Sequence, residues 1–293
     1  MHKYLRAIGF SDIRKRKELQ ELVTDVIMTA EERSYILSRD GNSILAQFCK
    51  DFTENVGIAV CGEFEEDDKF YYNYYCPYMR GSVISSYEDI TVERHSCRES
   101  YTGACDEIRL GVSLIFYLNN MIPYLKAHND QLLPINGTSL SLSGLSIQGS
   151  ILMPIEKNEK DRRILKEASR ERNHLIAAAR MGDEDAIESL TIEDMDTYSA
   201  ISKKIHTEDV FSLVDTYFMP YGMESDHYSI LGEILDVKKV KNSMTEEELW
   251  QMTINCNDLE FDLCIHTEDL YGEPEIGRRF KGVVWLQGYI NFP

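Results

Sequence analysis

Apolar residues near the start of the chain recur at a spacing of three and four. Leu19, Leu22, Val23 and Val26 follow this spacing, which places them on one face of an α-helix. Ser11 is a suitable N-cap residue ahead of them. The pattern predicts an amphipathic helix that begins after Ser11 and packs its apolar face on a sheet.

The rest of the first half is predicted to form strands, because short apolar or alternating segments are separated by turn residues. The predicted strands are 44–52, 56–64, 69–78, 89–97, 108–118 and 139–153. A buried helix is the alternative for 108–118. Only "EEDD" separates the second strand from the third, which is too short for a parallel crossover and predicts an antiparallel hairpin. The first half is therefore predicted to be α+β, with a largely antiparallel sheet.

The pattern becomes helical and highly charged after about Pro154. Residues 182–202 hold seven acidic residues and no basic one. Thr191 with Asp194, and Thr207 with Val210, are typical of helix starts. We interpret residues 156–211 as a charged helical connector.

Strands are predicted again in the last third, at 214–222, 228–240, 248–256, 259–267 and 280–292. Five short strands with Gly232 inside the second one are typical of a small closed barrel, since a glycine lets a strand coil sharply. We predict an OB-like barrel, with an SH3-like barrel or an open meander as alternatives.

Alternation along 228–235 predicts that Tyr228, Ile230, Gly232 and Ile234 share one face. Trp285 should be buried, with an acceptor for its indole N–H. The length of 293 residues favours two domains, and the predicted division is an α+β domain at 1–155, the connector, and a barrel domain at 212–293.

Charge narrows the possible partners. The net charge is −19, and residues 212–293 alone hold 15 acidic and 6 basic residues, a balance of −9. Such a surface repels polyanions, so we expect no nucleic acid and no membrane among the partners. The absence of a long apolar run, together with seven scattered cysteines, leads us to expect a cytoplasmic protein.

Three stretches resemble a known family: "KYLRAIGFSDI", "MPYGMESDHYSILGEI" and "GEPEIGRRFKGVVWLQG". They are similar to proteins of anaerobic, clostridial-type Gram-positive bacteria that are catalogued as a domain of unknown function. The resemblance covers nearly the whole chain and implies a bacterial cytoplasmic protein. It transfers no catalytic or binding residues.

Two polar or aromatic strands carry the candidate site residues. "KFYYNYYCPY" is aromatic on both faces, which indicates a strand between two layers or one that lines a cleft. Alternation places Tyr72 and Tyr74 on the same face, with Arg80 just beyond the strand. In 91–100, Glu93, His95, Cys97 and Glu99 share a face that could hold a metal or supply a Cys nucleophile beside a base, although a charged edge strand explains the same pattern.

No cofactor motif is present in the sequence, and we expect neither a cofactor nor a metal. A hairpin tip at Asn257–Asp258 would place Cys256 opposite Leu259 and Cys264 opposite Gln251, too far apart to share a zinc ion.

The leading hypothesis is a non-enzymatic binding or scaffolding protein with an unknown protein or small-molecule partner. The alternative is an enzyme or a small-ligand receptor. Its site would lie in the Tyr-rich cleft formed by Tyr72, Tyr74, Arg80, Glu93 and His95.

Overall fold

A computed structural model shows a mixed α+β protein that contains a five-stranded β-barrel and a separate antiparallel sheet. The structure describes residues 1–38, 41–65, 69–95, 100–130, 132–133, 137–155, 159–204 and 214–293. The predicted α+β class is therefore confirmed.

The smaller sheet is antiparallel and pairs its four strands in chain order. They are β1 (Glu32–Leu37), β2 (Ile44–Thr53), β3 (Val56–Phe64) and β4 (Phe70–Met79). The predicted hairpin is confirmed, because β3 pairs with β4 from Val56↔Met79 to Phe64↔Phe70. β1 was not predicted.

Helix α1 (Arg16–Thr29) packs on β2 and β3 through Leu22, Val23 and Val26, as the periodicity predicts. Its predicted start was wrong. Glu18 accepts the backbone N–H groups of Arg14 and Lys15, which fixes the helix start there. The Ser11 backbone and hydroxyl instead donate to Glu247, far along the chain.

The larger sheet contains the barrel and an extension. The remaining elements are β5 (Ile90–Arg94), β6 (Tyr101–Glu107), β7 (Val112–Leu118), α2 (Met121–Asn129), β8 (Ser139–Leu152), α3 (Glu159–Arg180), α4 (Glu184–Lys204), β9 (Tyr217–Pro220), β10 (His227–Lys241), β11 (Glu248–Cys256), β12 (Leu259–His266), β13 (Leu270–Tyr271) and β14 (Arg279–Asn291). The extension runs from β14 through β7 and β6 to β5.

Strand β8 closes the barrel, whose pairing order is β8–β12–β11–β10–β14 and back to β8. The β8–β12 pair is parallel and the other four pairs are antiparallel. The prediction that 214–222 is a barrel strand was wrong. β9 is only four residues long and pairs only with the first half of β10. It ends at Pro220, which has no amide N–H to continue the pairing.

Alternation along β10 agrees with the prediction. Tyr228, Ile230 and Ile234 enter the barrel core, while Glu233 is exposed. A Cβ on Gly232 would lie 2.4 Å from Ile254 Cγ2 and 2.5 Å from Cys256 Sγ. The register of β10 against β11 shifts just beyond it, between Ile234 and Asp236. The glycine therefore permits the close approach of β10 and β11 beside this bulge.

A second core joins the barrel wall to the smaller sheet. It contains Trp285 from β14, Leu249 from β11 and Val60 from β3, together with Tyr4 and Ile8 of a 3₁₀ helix at Lys3–Ile8. Barrel and smaller sheet therefore share one apolar cluster. The predicted division at residues 155 and 212 stays a prediction, although β8 of the barrel comes from within the predicted first domain.

Two local predictions need correction. The segment predicted as a strand at 108–118 contains a turn with Gly111 at φ +68°, and only Val112–Leu118 pairs. Thr191 lies inside α4, which instead follows Asp183, whose carboxylate accepts the N–H of Ala186. The other predicted helix start, at Thr207 and Val210, lies outside the described residues.

In the described part of the chain, no helix is long and apolar enough to cross a membrane. The six described cysteines are all free and buried.

Candidate functional site

A β-bulge separates the two tyrosines that alternation placed together. In the β3–β4 pairing Cys61 opposes Tyr74, whereas the next residue, Gly62, opposes Tyr72. Asn73 is therefore the extra residue, and Tyr72 and Tyr74 point to opposite faces. Tyr72 is 44% exposed. Tyr74 is partly buried, and this burial raises the pKa of its phenol, with the neighbouring Cys61 adding to the effect.

Arg80 lies elsewhere, in an ion-pair cluster on the smaller sheet. Its guanidinium is 2.9 Å from Glu32 Oε2 and 3.3 Å from Asp51 Oδ2, and it stacks over the Tyr78 ring at 4.9 Å. Asp51 also accepts a hydrogen bond from the Tyr78 hydroxyl. This arrangement pairs the positive charge of Arg80 within the protein.

Glu93 and His95 belong to an edge. Strand β5 is the last strand of the larger sheet, as the edge-strand interpretation predicts. Glu93 is exposed, and His95 Nε2 lies 2.6 Å from the Thr102 hydroxyl. Cys97 and Glu99 lie outside the described residues. The structure thus places Tyr72, Tyr74, Arg80 and the edge with Glu93 and His95 in different surroundings. Ligand binding by these five residues stays a prediction.

Only His95 of these five residues lines a cleft that we call the His227 cleft. Its volume is about 650 Å³. It is lined by Met1, His2, Lys3, Tyr4, His95, Ser100, Tyr117, Glu224, Asp226, His227 and Trp285. It lies where the 3₁₀ helix, the β9–β10 turn and strand β14 meet the extension of the larger sheet.

Asp226 organises the floor of the cleft. One carboxylate oxygen accepts the Trp285 indole N–H at 2.7 Å, and the other lies 2.8 Å from His227 Nδ1. Burial alone would raise the pKa of Asp226, but the hydrogen bonds from His227 and Trp285 outweigh it and lower the pKa. Asp226 is therefore a carboxylate that fixes the orientation of both rings.

His227 turns its other nitrogen toward Glu224. The residue is only 7% exposed. Glu224 Oε2 lies 3.0 Å from Nε2 but is not aligned for a hydrogen bond, so Nε2 is a buried atom without a hydrogen-bond partner. Glu224 itself is well exposed and also pairs with the Lys3 ammonium at 3.1 Å. A movable ion pair thus covers the buried Nε2 atom.

Aromatic rings form one wall of the His227 cleft. Trp285 stacks on Tyr4 at a centroid distance of 5.2 Å, and His2 and Tyr117 lie 4.8 and 5.4 Å from the indole. Burial, followed by the charge of Lys3, lowers the pKa of His2 to about 4. The His2 ring is therefore uncharged at neutral pH and contributes to the wall as a neutral aromatic ring.

The described residues contain no group of three or more His, Cys, Asp or Glu side chains arranged to hold a metal ion. The two cysteines of the last third lie opposite the residues that were predicted for them in the β11–β12 register. Cys256 lies opposite Leu259, and Cys264 lies opposite Gln251. Cys256 packs in the barrel core, whereas Cys264 packs in the core shared with the smaller sheet.

Sequence reasoning missed most of the cleft because its residues come from five segments that are distant in the chain. One local signal was present: in "MPYGMESDHYS" two acidic residues and a histidine, Glu224, Asp226 and His227, fall within four positions. The acceptor predicted for the Trp285 indole proves to be Asp226.

Comparison with known proteins gives a family but no function. No curated protein matches the chain, and no solved structure matches it either. A family model, described as a domain of unknown function from an E. rectale gene, matches residues 5–288. Because this match spans nearly the whole chain, the protein belongs to the DUF3881 family.

Proposed function

We propose that this protein binds a small molecule and that the His227 cleft is its ligand site. The observation that carries the proposal is the buried Asp226 carboxylate, which holds both Trp285 and His227 in place beneath the cleft. Ligand sites typically combine an apolar or aromatic wall with a few fixed polar groups in a volume of about 300–1,000 Å³. The cleft, at about 650 Å³, has both features.

The barrel topology also bears on the choice of ligand. We infer that the barrel is OB-like but has a permuted strand order. The strand that comes last along the chain in an ordinary OB barrel comes first here and is β8. Support comes from the parallel β8–β12 pair and from long β10, which pairs with β14 through its first half and with β11 through its second.

In OB barrels one face of the sheet, together with its loops, binds oligonucleotides. Here the outer side of β11 and β12 is covered by the protein itself. Gln251 donates to the Glu54 carbonyl, and Ser82 donates to Asp262. Coverage of this face and the net charge of −19 support the expectation that the protein binds no nucleic acid.

A second candidate function is acid–base catalysis on the bound molecule. An Asp carboxylate that orients a His through Nδ1 and leaves Nε2 toward the cleft is the acid–base part of a hydrolase triad. Among the described residues no hydroxyl or thiol is hydrogen-bonded to His227 Nε2. The arrangement therefore favours binding, or proton transfer, over covalent catalysis. The predicted scaffolding role of the protein stays a prediction.

Affinity selection from a metabolite extract tests the proposal. The wild-type protein, His227→Leu and Glu224→Ala would be incubated with the extract, and the retained molecules identified by mass spectrometry. His128→Leu is the matched control, because His128 lines a separate groove beside α2. We expect a molecule retained by the wild type and the control but depleted in both cleft variants, each of which must keep its far-UV CD spectrum. Equal retention by all four proteins, or by none, would refute the proposal.

A further inference from the structure

We infer that the ligand of the His227 cleft carries a primary ammonium group, which binds between Glu224 and the rings of Tyr4 and Trp285. This inference rests on the proposed function, because it specifies the chemical class of molecule that the same cleft takes. Four observations support it: the hydrogen-bonding character of the polar atoms, the chain's own cation, the aromatic wall and the net charge.

The polar atoms around the floor are mainly acceptors. The Asp226 carboxylate is already bound to two N–H groups. Glu224 Oε2 lies 3.0 Å from the buried His227 Nε2 but makes no hydrogen bond with it. The exposed Glu224 carboxylate therefore keeps acceptor capacity at the cleft. A ligand ammonium has three N–H donors with which to bind this carboxylate.

Lys3 shows that this place accommodates an ammonium group. Its Nζ lies 3.1 Å from Glu224 Oε2 and 5.2 Å from the centre of the Tyr4 ring. A carboxylate on one side and an aromatic face on the other are the two partners that stabilise a desolvated cation. Lys3 is half exposed, so it can move out when a ligand ammonium takes its position.

The remaining wall suits the carbon part of such a ligand. Trp285 and Tyr4 stack with their ring planes at 25°, and the uncharged His2 ring packs beside them. These rings offer apolar surface without a fixed positive charge. The net charge of −19 also raises the local concentration of small cations around the protein.

The two tryptophans give a direct test by NMR. With ¹⁵N-labelled indole the protein shows two indole N–H signals: Trp285, hydrogen-bonded to Asp226 at the cleft, and Trp250, whose ring faces Lys239 outside it. A Trp250→Phe variant assigns the signals. The probes are n-butylamine, n-butanol and n-butyrate, which share a carbon chain and differ in the charged or polar end.

We expect butylamine to shift the Trp285 signal in a saturable way, while butanol and butyrate leave it in place and Trp250 serves as the internal reference. Glu224→Gln should weaken butylamine binding by about tenfold or more, because it removes a charged hydrogen-bond acceptor. Glu273→Gln removes an exposed carboxylate outside the cleft and should have no effect.

The outcomes separate this inference from the proposed function. If butyrate or butanol shifts Trp285 as butylamine does, or if Glu224→Gln binds butylamine as well as the wild type, the ammonium assignment is wrong and the cleft remains a ligand site. If butylamine shifts neither signal, the assignment is also wrong. A retained metabolite that carries no amine leads to the same conclusion.

Discussion

Replacing Trp285 by alanine tests how the barrel and the smaller sheet depend on each other. Trp285 is 5% exposed and packs in the core that also contains residues of α1, β3 and the 3₁₀ helix. Removing the indole loses its contacts with Tyr4 and Tyr117 and leaves a cavity at this junction. Substitutions of this kind cost about 3–5 kcal/mol of unfolding free energy.

A second variant separates packing from the hydrogen bond. Trp285→Phe keeps an aromatic ring in the core but removes the donor to Asp226. A hydrogen bond to a charged group contributes about 1.5–3 kcal/mol. Because the Asp226 side chain is 25% exposed, water can replace part of that bond, so we expect a loss of about 1 kcal/mol. Trp250→Phe, on a partly buried ring outside this core, is the control, with an expected change below about 1 kcal/mol.

Urea unfolding monitored by far-UV CD measures these changes, and hydrogen exchange reports where the protein opens. Because the shared core joins the two sheets, we expect Trp285→Ala to weaken protection in β2 and β3 as well as in β10 and β14. Independent domains, as the sequence predicts, would restrict the loss to the barrel. A change below about 1 kcal/mol for Trp285→Ala, or full protection of β2 and β3, would refute this reasoning.

Three further predictions follow from the same structure. Gly232→Ala should cost about 1–3 kcal/mol in urea unfolding, because its Cβ would lie within 2.5 Å of Ile254 and Cys256; an unchanged midpoint would show that β10 and β11 can move apart. The pKa of His2 is lowered from 6.5 to about 4, so the unfolded chain binds the proton first. The free energy of unfolding should therefore fall as the pH drops from 6.5 to 4, by at most about 3.5 kcal/mol at about 1.4 kcal/mol per pH unit. His2→Phe should flatten that part of the stability profile, and an identical slope would contradict this assignment. Fragment 212–293 should remain unfolded by CD because it lacks β8, the strand that closes the barrel; a folded 212–293 would support the predicted domain boundary.

Local patterns predicted the strands whose pairing is also local. The limits of β3 were predicted without error, and β2 and β4 to within one residue at each end, because long apolar runs are separated by short turns. β1 and β6 were missed. Both mix charged or small residues with apolar ones, and each is recognisable only from the neighbouring strand with which it pairs.

Errors of a different kind arose where a side chain binds far along the chain. Ser11 has the chemistry of an N-cap, but Glu247, 236 positions away, binds it instead.

A β-bulge caused another error. The bulge at Asn73 has no signature in "KFYYNYYCPY", yet it places Tyr72 and Tyr74 on opposite faces of the strand. An alternating pattern fixes which face a residue takes only as long as the register holds.

The His227 cleft follows from the pairing of β14 with β10 and β7, and this is why no single motif predicts it. Trp285 lies on the outer wall of β14, and the pairing of His227 with Trp285 across β10 and β14 sets Asp226 beside the indole. The β14–β7 pairing brings Tyr117 to the other side of the indole, and the 3₁₀ helix adds Tyr4. The contacts of the indole with Asp226 and with Tyr117 require that β14 pair with both β10 and β7. A fold in which β14 paired with other strands would separate the acids and Tyr117 from the indole, so the ligand site depends on these two pairings.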